Sequence, residues 1–256
     1  MSIPTSPRIS IHRSLCIAGL AFASALLGGC ATGPAANPHD PIEPFNRGVY
    51  KFNDTVDRAV VRPAATVYRD VLPSPIRTGV SNFFYNLQDA WSVVNNTLQL
   101  KPEQAGNSLM RFGVNTVFGL GGVLDIASEM RIERSTEDFG QTLGRWGINT
   151  GPYLVLPLLG PSTLRDTLAM PIDTKGSPAS HIDNVATRNS VTALNLLNQR
   201  SRLLQASEML DQVALDPYTF TRDAFMQRRR NSVYDGNPPD EVDGAPTTDN
   251  ATKAKE

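Results

Sequence analysis

Apolar residues recur at helical spacing through most of this chain. Phe45, Val49, Phe52 and Val56 fall at offsets of four, three and four, with Asn46, Arg47, Lys51, Asp54 and Asp57 between them. That pattern predicts an amphipathic helix with one wholly apolar face, ending before Pro63. Ser74 is a candidate N-cap with Pro75 at the first helical position. From there Ile76, Val80, Phe83, Phe84, Leu87, Trp91, Val94 and Leu98 trace the longest stripe in the chain. Pro102 opens a further helix carrying Leu109, Phe112 and Val117, which stops at Gly119, Gly121 and Gly122. Ser135 with Asp138 three residues on is a capping-box variant ahead of Phe139, Leu143 and Trp146, a short helix reaching Gly147. Three prolines and bracketing glycines bar a helix from Gly151 to Pro161, leaving an apolar loop or short extended piece. Ser162 restarts a brief helix. After a polar break at Thr174 to Ser180, Val191, Leu194, Leu197, Leu204 and Met209 mark a helix from about Asp183, and Asp216-Pro217 caps a last one reaching Arg228 to Arg230. The expectation is an all-α body with no internal repeat.

The ends follow other patterns. Residues 15–29 are apolar and small, follow Arg8 and Arg13 with no acidic residue before them, and close on Leu27-Gly28-Gly29-Cys30. A positive segment, a short hydrophobic run, small residues and a cysteine read as an export signal with its processing site. The tetrad resembles a bacterial lipobox, in which the cysteine is acylated and becomes the new amino terminus; Cys30 is then the lipid anchor. A bilayer span takes roughly 20 apolar residues, more than the run offers. Residues 30–40 are small, Pro-rich and nearly uncharged, the composition of a flexible tether. The expected organisation is a signal over 1–29, a tether over 30–40, a helical domain over 41–230 and a disordered polar tail over 231–256, where Asp, Pro, Gly, Thr and Lys dominate.

Composition then removes several function classes. Without Arg8 and Arg13 the 24 basic residues become 22 against 25 acidic ones, so no broad basic field exists for nucleic acid. Cys16 leaves with the signal and Cys30 is blocked by lipid, so packing alone holds the exported chain together. Histidine is limited to His12, His39 and His181, and no His-Glu-x-x-His or cysteine cluster is present for a metal. There is no Gly-x-Ser-x-Gly elbow for a serine hydrolase and no phosphate loop for a nucleotide; Gly119-Leu120-Gly121-Gly122 lacks the spacing and the lysine. Glu137-Asp138 fits helix N-terminal electrostatics without a catalytic purpose. No enzyme activity and no cofactor are expected.

What remains is a pair of apolar, Gly- and Pro-rich segments, Val114 to Leu124 and Gly147 to Pro161, between helices of a lipid-anchored chain. They are either buried loops of an ordinary core or the lining of a path for lipid. Irregular backbone at membrane depth is tolerated only where protein or a water-filled cavity covers it.

At these residues the chain resembles the MlaA/VacJ family of phospholipid-transport lipoproteins, from Asp40 to about Asp173. The resemblance rests on Asp40-Pro41-Ile42-Glu43-Pro44-Phe45-Asn46-Arg47 with Tyr50, Phe52-Asn53 and Asp57. It continues through Asn82-Phe83, Asn86-Leu87, Asn95-Asn96, Arg111-Phe112, Asn115-Thr116, Gly119 to Gly122 and Asp125. It closes on Phe139 to Gly144, Trp146-Gly147, Gly151-Pro152-Tyr153, Leu156-Pro157 and Gly160 to Asp166. One departure is Thr167-Leu168-Ala169-Met170, where a glycine-containing continuation is expected, so the helix there could differ in shape.

The resemblance implies a ring-like helical body set in the inner leaflet of a Gram-negative outer membrane, with an amphipathic channel. It implies glycerophospholipids as cargo, a soluble periplasmic carrier of MlaC type as recipient and trimeric porins as docking partners, together maintaining lipid asymmetry. Phe112, Leu120, Phe139, Trp146, Tyr153 and Leu156 are the candidate path residues, with Gly121, Gly122, Gly147 and Gly151 as its narrow or movable turns; each could equally be plain core. The alternative is a structural lipoprotein that grips porins or an envelope complex without moving lipid. A third reading, an envelope phospholipase, would require phospholipid turnover by the purified protein.

Overall fold

The computed structural model describes residue 37 and residues 40–239. Cys30, the segment before it and residues 240–256 lie outside that range, so the anchor, the signal and most of the expected tail are outside the described residues.

Helix α1 (Glu43–Val56) does not stop ahead of Pro63. It passes through a π-helical turn, Asp57–Val61, into α2 (Arg62–Val71). Proline at 63 brings no amide hydrogen and would push its ring at the carbonyl four residues back. The wider turn relieves both, since the Arg62 amide reaches the carbonyl of Asp57, five residues back. The widened turn is also tied from outside: Arg200 grips Asp57 with two hydrogen bonds of 2.7 and 2.8 Å.

Helix α3 (Ser74–Leu98) carries Pro75 in its first turn, but Ser74 makes no capping hydrogen bond and is itself the first helical residue. A three-residue turn leads into α4 (Pro102–Val117), which packs back along α3. The single turn α5 (Ile126–Glu129) is capped by Asp125, and α6 (Phe139–Arg145) by Asp138, whose carboxylate accepts from the Gln141 amide at 2.8 Å. Ser135 is not the cap of α6; its hydroxyl donates instead to Asn96.

The Gly/Pro-rich stretch is a hairpin. Strands β1 (Tyr153–Leu156) and β2 (Gly160–Thr163) pair antiparallel, Tyr153 opposite Thr163 and Leu156 opposite Gly160. The free edge of β1 is closed by α1. The Asn46 amide donates to the Tyr153 carbonyl (3.0 Å) and accepts from the Val155 amide (2.9 Å); Asn53, two turns on, does the same for Leu156 and Leu158 (2.9 and 2.8 Å). An exposed strand edge is thereby satisfied by two side chains on one helix face. Helix α7 (Leu164–Gly176), capped by Thr163, runs uninterrupted through Thr167 to Met170 and Pro171. A 3₁₀ turn (Pro178–His181), α8 (Val185–Val213) and α9 (Pro217–Val233) complete the order, with Asp216 capping α9 as its sequence predicts.

Two boundaries move. Asp40, placed in the tether by composition, is buried and takes hydrogen bonds from Asn46 (2.8 Å), Tyr218 (2.5 Å) and Arg222 (3.3 Å). At the other end, α9 carries past Asn231 to a buried Val233, and Asp235 is held by Lys101 at 2.6 Å. Residues 231–235 therefore belong to the body.

Candidate functional site

The interior of this protein is polar and its exterior apolar. Among the described residues nine hydrophobic side chains are buried, against twenty-one polar or charged ones, while thirty-three large hydrophobic residues are exposed. Helix α3 shows how this arises. None of its eight stripe residues is buried; Ile76, Val94 and Leu98 are exposed, and the buried positions are Gly79, Asn86, Asp89, Ser92, Asn95 and Asn96. Buried polar groups must find partners, and here they find one another.

Arg111 of α4, almost fully buried, donates to both oxygens of Asp125 (2.8 and 2.9 Å), to Ser128 and to the Ile132 carbonyl. Asn115, one turn further on, donates to Asp125 and accepts from the Ala127 amide. Asp89 of α3 faces Arg111 at 3.5 Å and Arg134 at 3.1 Å. A second cluster joins Gln99 to Glu137 and Thr142, Thr142 to Asn95, and Lys101 to Glu137. In a third, Arg229 of α9 bridges Asp138 and Asp166 at 2.6 to 2.9 Å. These clusters fix α3, α4, α6, α7 and α9 to one another where an ordinary protein would use a greasy core. A small apolar core does exist: Tyr153, Val155 and Tyr218, with Val49, Tyr50, Phe225 and Met226 around them.

The carboxylates split into two classes. Burial pushes Asp89, Glu137 and Asp173 above the usual carboxylate range, the neighbouring Arg134, Gln99 and Phe139 amide respectively only partly opposing it. Asp138, half-buried, also loses solvation, but the Arg229 guanidinium outweighs that loss and holds it low, as Arg200 does for Asp57. The signs then oppose. The depressed acids contribute stability that is present above about pH 4 and is lost as pH falls through their folded values. The raised acids favour the folded state as pH falls from their raised values toward the ordinary range. The melting temperature of detergent-solubilised protein is therefore expected to hold or rise slightly on mild acidification and to fall only below about pH 4. A monotonic loss from neutrality downward would contradict the burial of Asp89 and Glu137 and the desolvation of Asp173.

The sequence candidates lie on three elements. Phe112 is half-buried on α4, and Leu120, Gly121 and Gly122 form the turn after that helix, all three with positive φ (54°, 70° and 94°). Phe139 and Trp146 stand edge to face at 6.2 Å across α6; the exposed indole donates to the Leu98 carbonyl, and Gly147 follows in open space. Gly151 (φ 69°) packs beside Leu164, and Leu156 is half-buried at the end of β1. Tyr153 exposes no surface and belongs to the apolar core, so it lines no path in this conformation. The polar frame was missed as a structural unit, although Asn86, Asn95, Asn96 and Asn115 carried a signal: asparagine disfavours helix interiors, so four within two helices indicate partners for their amides.

No helix among the described residues is long and apolar enough to cross a membrane, and no cluster of metal-binding type occurs among them. The exposed residues instead gather along successive elements: Val60, Val67 and Val71 on and before α2, Val117, Phe118 and Leu120 at and after the end of α4, and Leu194, Leu196, Leu203 and Met209 on α8. Apolar surface on this scale marks contact with membrane or protein.

The sequence model of the family described as "MlaA lipoprotein" matches residues 38–232. The chain belongs to the MlaA lipoprotein family. It is 37% identical over 218 residues to the "Intermembrane phospholipid transport system lipoprotein MlaA" of Shigella flexneri and to that of Escherichia coli (strain K12), covering 83% of this chain and 86% of each relative. The Haemophilus influenzae MlaA is 34% identical over 227 residues, covering 82% and 87%. A chain from the structure described as "Structural basis for maintenance of bacterial outer membrane lipid asymmetry" superposes with a TM-score of 0.68 at 34% identity. It covers 77% of this chain and 99% of that one. An MlaA lipoprotein is outer-membrane associated and handles phospholipid within a multi-component system, and a mostly helical fold with a short hairpin is what this chain shares with that structure.

Proposed function

We propose that this protein removes glycerophospholipids misplaced in the outer leaflet of the outer membrane, conducts them along an amphipathic path and releases them to a periplasmic carrier of MlaC type. Cys30 carries the lipid anchor on the periplasmic side, and trimeric porins serve as docking partners. The observation that carries this reading is the inverted polarity: an apolar exterior suited to acyl chains on a frame of buried asparagines, arginines and carboxylates. A protein so built can sit among lipid tails without a spanning helix and still offer headgroups a polar route.

Energetics favour such a device. At about 0.8 kcal/mol per methylene, a two-chain phospholipid with roughly 28 methylenes faces on the order of 20 kcal/mol on entering water. A route that keeps the tails covered removes most of that cost, and with no nucleotide loop in the chain the direction must come from the recipient's affinity.

The test is outer-leaflet phospholipid in cells lacking the protein, complemented by wild type, Cys30→Ala and Gly147→Val. Wild type should restore asymmetry. Cys30→Ala should shift protein out of the membrane fraction and restore little. Gly147 lies in open space but at φ 89°, so valine meets no neighbour yet carries backbone strain; at matched protein levels it should still alter clearance. Unchanged asymmetry in the deletion strain, or altered porin assembly alone, would favour the scaffolding role instead.

A further inference from the structure

Most arginines of this protein are spoken for by carboxylates; Arg202 is not. It lies on the exposed side of α8 and makes no ion pair among the described residues. Its guanidinium carbon stands 5.0 Å from the centroid of the Tyr85 ring, and that of Arg134 stands 4.7 Å from the same centroid. The two cations are thus no farther apart than the sum of those distances. Arg134 is fixed from behind by Asp89, with contacts of 3.1 and 3.2 Å. Within the buried frame Asp89 and Asp125 balance Arg111 and Arg134, so Arg202 adds one uncompensated positive charge to the cluster.

The same seam continues along the face that α3 turns to α8. Arg77, Ser81 and Tyr85 recur there at intervals of four; Ser81 and Tyr68 hydrogen-bond to Asn198, one turn before Arg202. The Nε of Arg77 is buried with no hydrogen-bond partner, and Arg77 makes no ion pair among the described residues. Two planar, always-charged forks with free donors, one stacked on a tyrosine and one with an orphaned donor, are suited to bidentate recognition of phosphate oxygens. Immediately beside Arg202, Leu203 is exposed, as are Leu194 and Leu196 on the preceding turns.

We infer that the α3–α8 seam at Tyr85, Arg134 and Arg202 binds the phosphodiester of a phospholipid headgroup, with its acyl chains along the exposed leucines of α8. The inference deepens the lipid-transport proposal and rests on it. Within the Tyr85–Arg134–Arg202 cluster the one uncompensated positive charge matches the single negative charge of a phosphodiester, Arg77 lying two turns farther along α3, and an apolar flank is what a free phosphate would not need.

The test uses the full chain in a neutral detergent with four probes: short-chain phosphatidylethanolamine, short-chain phosphatidylglycerol, the matching diacylglycerol and inorganic phosphate. In Arg202→Gln, affinity for both phospholipids should fall about tenfold, diacylglycerol binding should not change, and Arg202→Lys should recover part of the loss. Tyr85→Leu should also weaken phospholipid binding, by releasing both guanidinium groups. Because Arg202 is exposed and its one contact is the stack on Tyr85, worth about 0.5–1 kcal/mol at an exposed site, the melting temperature of Arg202→Gln should stay within about 4 °C of wild type. Phospholipid affinity unchanged within twofold in Arg202→Gln overturns the site, as does an equal loss of diacylglycerol binding. Inorganic phosphate competing as well as phospholipid overturns the headgroup assignment. Complementation separates the two levels: a wild-type chain that fails to restore asymmetry defeats the transport reading, whereas clearance by wild type with unaltered binding in Arg202→Gln defeats only this site.

Discussion

Arg111→Met is expected to destabilise the protein by about 3–5 kcal/mol, the range for removing one partner of a buried ion pair. For a chain of this size that lowers the melting temperature by roughly 10 °C or more. Arg111 is 1% exposed and is the hub of the α3–α4 frame. It supplies two hydrogen bonds to Asp125, one to Ser128 and one to the Ile132 carbonyl, and it lies 3.5 Å from the buried Asp89. Methionine fills the volume but leaves Asp89 with Arg134 alone and the carbonyl with no donor. The loss is therefore dominated by stranded polar groups rather than by missing contact area. Adding Asp89→Asn to Arg111→Met should recover part of the stability, since a neutral amide is cheaper to bury than an unpaired carboxylate. Thermal unfolding in detergent, followed by circular dichroism, measures both variants. A loss below about 1 kcal/mol would show the frame to be solvated rather than buried.

That frame also marks the limit of what the sequence discloses. The apolar stripe of α3 predicts the helix and its period correctly, and the helix runs from Ser74 to Leu98 as its proline and stripe indicate. What periodicity cannot reveal is which medium the stripe meets. Alternation of apolar and polar faces has the same period whether the apolar side turns to a core or to lipid, so the stripe alone does not foretell that Ile76, Val94 and Leu98 are exposed. The deciding signal is the composition of the other face: Asn86, Asp89, Asn95 and Asn96 are too short and too tightly packed in sequence to be a solvated surface.

Local exceptions have local causes. Pro63 would end an α-helix, but a π turn that ends two residues earlier absorbs it. Ser135 matches a capping-box spacing, yet Asp138 lies directly at the helix start and its ionised oxygen is the stronger acceptor for the Gln141 amide. The hairpin was legible only as a non-helical apolar segment, because its pairing depends on Asn46 and Asn53, more than 100 residues away. Of the candidate path residues, the glycines were legible as turns because their conformations are local. For Tyr153 the choice between path and core was left open by the sequence, since its burial depends on Tyr218 and Phe225 of α9.

The turn after α4 provides the second large effect. Gly122→Val is expected to cost about 2–4 kcal/mol and to abolish restoration of asymmetry, because two independent penalties coincide there. Gly122 has φ 94°, which a β-branched residue does not adopt, and a side chain built on it would come within 2.6 Å of the Asn86 side chain. Asn86 cannot simply withdraw: it is buried and its amide donates to Thr116 at 2.9 Å. The Gly122 amide is itself engaged, donating to the Asn115 carbonyl at 2.8 Å. Valine must therefore move the α4 end or the α3 asparagine, and with either the exposed apolar tip formed by Phe118, Leu120 and Val123 shifts. Gly121 is the control. It has φ 70° but meets nothing within 4 Å, so Gly121→Ala should cost only about 1–2 kcal/mol of backbone strain. Clearance lost in Gly122→Val but kept in Gly121→Ala, at matched protein levels, would tie transport to the placement of this tip. Equal loss in both would show that any strain in the turn suffices, and intact clearance in both would remove the turn from the lipid path.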